Sequence, residues 1–135
     1  MIVLDEELQG LGLEAAIARW YRGAVLLVRQ LRPGTVIKDD GIPALLRQVR
    51  QSTFVTINYA DFWRRVPADE SFCVVCLKLE ADRHDEISVL LRRLFRSPEF
   101  RTKGVRMGKV VSVSRHATQY YCTKNKLIHI VGLSE

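Results

Sequence analysis

Phe54-Val55-Thr56-Ile57-Asn58-Tyr59-Ala60-Asp61-Phe62 is the stretch that decides the fold. Phe54 to Ile57 is a short apolar, β-branched run, the pattern of a strand buried on both faces. It breaks into Asn58, Tyr59, Ala60 and Asp61, polar groups set where the strand ends. In an open α/β sheet, ligands sit at the carboxyl ends of the strands. A carboxylate there raises the question of whether other acids reach the same place.

Working outward, Ile2-Val3-Leu4 is a second short apolar run, ending directly in Asp5-Glu6-Glu7. Leu13, Ala16, Ile17, Trp20 and Tyr21 form an apolar stripe at helical spacing, and Gly23 stops it before the strand-like Ala24 to Val28. Arg32 to Gly41 is a loop opened by Pro33-Gly34. It leads into a helix with Pro43 in its first turn and Ile42, Leu45, Leu46 and Val49 facing inward. After the central strand come a short turn or helix ended by Pro67, a strand over Phe72 to Leu79, and a helix from about Asp85 to Arg96. Lys109 to Ser114, Gln119 to Thr123 and Leu127 to Val131 are three strand-like runs with short polar breaks. They predict an antiparallel β-meander. The alternation before them predicts a mainly parallel sheet with helices packed on it, in a single domain over residues 1–135.

No apolar run approaches the length of a bilayer span, and no basic segment precedes an apolar one at the start. Cys73 and Cys76 have the spacing of a zinc or redox pair, but on a strand positions three apart point to opposite faces. They read as core packing in a reduced, cytoplasmic protein with no membrane partner. His84, His116 and His129 are too scattered for a zinc site, and no Ser/His/Asp or Cys/His arrangement emerges.

Charge is unevenly placed. Up to Phe100, basic and acidic residues balance at fourteen each; beyond it stand seven Lys/Arg against Glu135 alone. A local basic surface favours a polyanion, nucleic acid being the commonest. The competing readings are a solvated face and one for an acidic protein. Arg64 and Arg65, beside Asp61, can hold a substrate phosphate or an acidic partner segment. Arg115, Lys124 and Lys126 are the further substrate-binding candidates.

Three acidic points fall at corresponding places: Asp5 after the first strand, Asp39 and Asp40 before the second helix, and Asp61 after the third strand. Right-handed β-α-β crossovers put the ends of parallel strands on one edge. Asp5 and Asp61 are therefore expected to approach each other, with Asn58 between them and Asp39 or Asp40 leaning in. Clustered carboxylates repel unless a cation neutralises them. Mg²⁺ or Mn²⁺ would suit such oxygen ligands and could activate a water for attack at phosphorus. The competing reading is that these acids cap helices. Asp5, which ends a buried strand, is the hardest to dismiss that way.

Leu4-Asp5-Glu6-Glu7-Leu8 resembles the opening Leu-Asp-Glu-Asn-Leu of the small PIN-like nuclease domains. Val55 to Phe62 is similar to their Thr-x-Asp-x-Asp-Phe segment, and Asp39-Asp40-Gly41-Ile42 to their Asp-x-x-Ile. Met107-Gly108-Lys109-Val110-Val111-Ser112-Val113 resembles their late Gly-Lys-Leu-Val-Val-Val strand. The match spans nearly the whole chain in one order, though each motif alone is weak. The resemblance implies a three-layer α/β/α fold and a metal-dependent endoribonuclease. It further implies the toxin half of a toxin–antitoxin module of the VapC type, with an antitoxin partner and a homodimeric assembly. Carried over by position, Asp5, Asp39 and Asp61 would be the catalytic metal-site acids. Asn58 stands where the family has an Asp, in a segment one residue longer. Its carbonyl oxygen can ligate a hard ion but brings no charge, and Glu7 is the residue that could replace that charge. The alternative is a catalytically silent PIN-like module that binds RNA or a protein through its basic end. A cofactor-binding domain of the response-regulator kind shares acids at strand ends, but a phosphorylation-site set with its Lys is missing.

Overall fold

A computed structural model describes residues 1–49, 51–80, 83–124 and 127–131. Seven strands are present among them: β1 (Ile2–Leu4), β2 (Val25–Leu27), β3 (Ser52–Thr56), β4 (Phe72–Leu77), β5 (Lys109–Val113), β6 (Thr118–Cys122) and β7 (His129–Val131). They form one sheet in the order β2-β1-β3-β4-β5-β6-β7. The first five pair in parallel, and β6 and β7 are added antiparallel. The mixed α/β architecture and the closing meander thus match the sequence pattern. Strands β3 and β4 are buried along their whole length: the apolar run of β4 demands it, and β3 carries three buried hydroxyls, Ser52, Thr53 and Thr56, beside Phe54 and Val55.

The helices are α1 (Leu13–Ala18), α2 (Val28–Leu31), α3 (Ile42–Gln48), α4 (Tyr59–Phe62), α5 (Ile87–Arg96) and α6 (Lys103–Arg106). They cover both faces. On one, Leu13 and Ile17 of α1 and Leu90, Leu91 and Leu94 of α5 pack with Ile2, Leu4, Val75 and Val111. On the other, Ile42 and Leu46 of α3 and Phe62 of α4 pack with Val3, Phe54, Val74 and Val110. Cys73 and Cys76 fall into these two separate cores, as their spacing predicts. Burial pushes the Cys73 thiol up to about 12 and holds the Cys76 thiol far above its usual range. Both are structural residues.

One connection departs from expectation. The steps β3 to β4 and β4 to β5 move one strand the same way along the sheet. Yet α4 lies on one face and α5 on the other, so the two crossovers have opposite hands. The β1 to β2 and β2 to β3 steps reverse direction and face together, and share the hand of β3 to β4. The β4–α5–β5 crossover is therefore the odd one of the set, against the strong general preference for right-handedness. On that face α5 packs beside α1 and the turn after it. The Trp20 and Phe95 rings meet edge to face at 5.7 Å, and Trp20 Nε1–H donates to Ser88 Oγ at 3.0 Å. No helix among the described residues is long and apolar enough to cross a membrane.

Candidate functional site

From β1 the chain goes first to β2 on one side and then, through α3, to β3 on the other. The order reverses between β1 and β3, and in such sheets the crevice beyond the carboxyl ends of those strands is the usual ligand position. Asp5 follows β1 directly, and Thr56 ends β3.

Asp5 is buried (6 % exposed) and fully engaged. Its Oδ1 accepts from the Glu6 N–H at 2.8 Å, and its Oδ2 accepts from the Thr56 hydroxyl at 2.7 Å. Thr56 Oγ1 in turn accepts from the Asn58 N–H at 3.0 Å. Asp5 thus caps the 3-10 turn Glu6–Leu8 and ties it to the end of β3. The acid that seemed hardest to explain as a cap is one, and it stands in the crevice as well. Thr56, which sequence reasoning passed over, is the residue that fixes it; the signal was a hydroxyl inside an otherwise apolar strand run.

Asn58 joins the other two predicted acids. Its side-chain NH₂ donates to Asp39 Oδ2 and to Asp61 Oδ2, each at 2.9 Å. Asp39 sits in a 3-10 turn (Asp39–Gly41) that feeds α3, where no side chain caps the helix. Capping therefore does not account for it. Asp40 lines the same hollow of about 360 Å³ as Asp39, Asp61 and Arg65, but the bond to Asn58 belongs to Asp39. Asp61 lies in the first turn of α4.

The acids influence one another. Partial desolvation, and then the charges of Asp5 and Asp61, hold the Asp39 carboxyl above its usual range. Glu7 is raised likewise, by desolvation and by Asp5, Asp39 and Asp61. Glu7 is thereby a fourth member of the cluster. Among the described residues none of the four pairs with a Lys or Arg.

The basic candidates scatter. Arg65 borders the acidic hollow. Arg64, in a left-handed backbone conformation (φ 63°), borders instead a hollow with Tyr121 and Thr123. Arg115 is engaged by Glu86 at 3.0 Å. Lys124 lies two residues beyond Cys122, the last residue of β6, which pairs with Lys109 at the start of β5. It therefore lies at the amino edge of the parallel strands, away from the acids. Lys126 lies outside the described residues.

An oxygen-only donor set of Asp5, Glu7, Asp39, Asp61 and Asn58 is chemically suited to Mg²⁺ or Mn²⁺. Among the described residues, however, no three acidic, His or Cys side chains stand ready-arranged to hold a metal ion. The Asn58 amide explains part of this, since its NH₂ lies where a cation would face Asp39 and Asp61. A half-turn of that amide presents its carbonyl oxygen instead, a change that a cation would favour and bare carboxylates oppose. What is preformed is the acid cluster; the coordination shell is not. Compared with protein-family models, with curated proteins and with solved structures, the chain finds no match.

Proposed function

We propose that the crevice at the carboxyl ends of β1 and β3 is the active site of a metal-dependent endoribonuclease of PIN-like type. The observation that carries this reading is that Asn58 brings Asp39 and Asp61 together at 2.9 Å each, close enough to Asp5 and Glu7 that carboxylates from three chain segments act on one another. A like-charged cluster with perturbed protonation in a cleft is a common mark of a functional site. Bound there, Mg²⁺ or Mn²⁺ would supply an activated water and stabilise charge developing on the phosphate. Asp39 and Asp61 would hold the ion, with Asp5 fixed behind them by Thr56 and Glu7 adding charge. Arg65, on the same hollow, is the side chain that would hold a phosphate oxygen of the RNA. The motif resemblance extends the reading to the toxin member of a two-protein module. A small partner gene with a DNA-binding pattern beside its reading frame would support that extension.

With Mn²⁺ and single-stranded RNA, the purified protein is expected to release oligonucleotides, and Asp61→Ala to lower the rate at least about a hundredfold. Equal rates for the two proteins would sink the mechanism.

The Asn58 bridge favours a second reading. Its amide already performs part of a cation's neutralising task, as a silent binding module would require. Asn58→Asp separates the two. An enzyme weakened by this amide is expected to gain Mn²⁺ affinity by about tenfold, read as a left-shifted activity titration. A silent module yields no product at any Mn²⁺ concentration.

A further inference from the structure

At the opposite edge of the sheet from the acids lies a hollow of about 780 Å³ lined by seven Arg and Lys side chains and an aromatic group. The end of α1 and the turn after it contribute Arg19 and Arg22, and the outer side of α5 contributes Arg92 and Arg96. Arg101 and Lys103 come from the segment that enters α6. All six are exposed, none enters an ion pair among the described residues, and no Asp or Glu lines the hollow.

A seventh cation is built in. Arg106 is 3 % exposed. Its Nε donates to Thr53 Oγ1 at 3.3 Å, and its Nη1 to the carbonyl oxygens of Phe100 at 2.9 Å and Arg101 at 3.2 Å. The guanidinium stacks on Phe95 at 4.1 Å. Its Nη2 makes no hydrogen bond among the described residues, and the residue lines the hollow. Seven like charges gathered without a counter-charge repel one another and focus a positive potential. Guanidinium groups held in this way recognise phosphate oxygens in pairs.

We infer that this hollow is a binding site for a nucleoside polyphosphate, an anion that concentrates several charges in a small volume beside an aromatic base. The cations converge from separate segments on one concavity and do not form a stripe along the surface. That arrangement fits a compact anion better than the line of phosphates on a nucleic acid strand. The volume is in the range of small-ligand sites. Trp20 and Tyr21, half-buried and packed edge-on against Phe95 at 5.7 and 6.0 Å, supply the apolar wall that a base would lie against. The inference is independent of the proposed nuclease, and its test requires neither metal nor cleavage.

Isothermal titration of the full chain with ATP, tripolyphosphate and AMP, at about 0.15 M salt, tests it. ATP and tripolyphosphate are expected to bind saturably, with AMP at least about tenfold weaker. The double variant Arg96→Gln/Arg101→Gln is expected to weaken ATP binding about tenfold or more at an unchanged melting temperature. Both side chains are exposed, and Arg22→Gln provides a second probe from another wall. No saturable binding, equal affinity in the variants, or binding of RNA that tripolyphosphate does not displace would each overturn the assignment.

Discussion

Asn58 holds two carboxylates with one amide group, and the protonation of its partners follows from that crowding. Asp39 and Glu7 have folded-state pKa values above those of the unfolded chain. The folded protein therefore binds more protons than the unfolded one between the usual carboxylate range and the raised values. Its stability falls as pH rises through that window. Asp69 and Glu99, whose carboxyls are held low by hydrogen bonds from the Ser71 N–H and the Ser97 hydroxyl, act in the opposite sense. A whole-protein pH profile mixes the two. The difference between the natural chain and Asp39→Asn isolates the crevice. The variant is expected to melt about 1–4 °C higher at neutral pH, a modest gain because the group is largely exposed. The gain should vanish near pH 3, where both forms are neutral, as thermal melts across pH will report. Mn²⁺ should reduce it by stabilising the natural chain more. At this scale the sequence was informative about which acids come together and silent about how they are held. Asp5 and Asp61 were legible from strand ends and Asp39 or Asp40 from the start of a helix, with the choice between those two left open. The Thr56 hydroxyl bridging fifty-one positions to Asp5 was not, because such a bond exists only once β1 and β3 are neighbours.

The strands were legible to within a few residues, since short apolar runs bounded by polar breaks have few other uses. Helices α2 and α6, at four residues each, escaped notice; one turn is too short for a period of 3.6 to repeat. The side on which α5 lies was also hidden, because an amphipathic stripe specifies burial and does not name a face of the sheet. Its burial is nonetheless firm: Leu91 and Leu94 have no exposed surface. Leu91→Ala should cost about 2–5 kcal/mol, the usual range for a buried Leu truncated where the surroundings cannot close in. Urea unfolding will measure it. A loss under about 1 kcal/mol would mean that α5 is less closely seated than its packing implies. The same substitution should also weaken ATP binding, since α5 carries Arg92 and Arg96 to the cationic hollow.

For the whole molecule, a linear charge count was misleading. The net charge of +6 was placed in the last quarter of the chain. Folding instead gathers Arg101, Lys103 and Arg106 with four arginines from the balanced first part, and leaves their acidic sequence neighbours elsewhere. The inverted β4–α5–β5 crossover makes this possible, for a connection of the common hand would have carried Arg92 and Arg96 to the other face. Strand β1, whose three residues span about 10 Å, has the acidic crevice beyond its carboxyl end, while the cationic hollow lies at its amino end. Opposite charge so divided polarises the described residues along the strands, from the aspartates to the arginines. An approaching polyanion is accordingly drawn first toward the arginine pole, and reaches the aspartates where Arg65 or a bound cation offsets their charge.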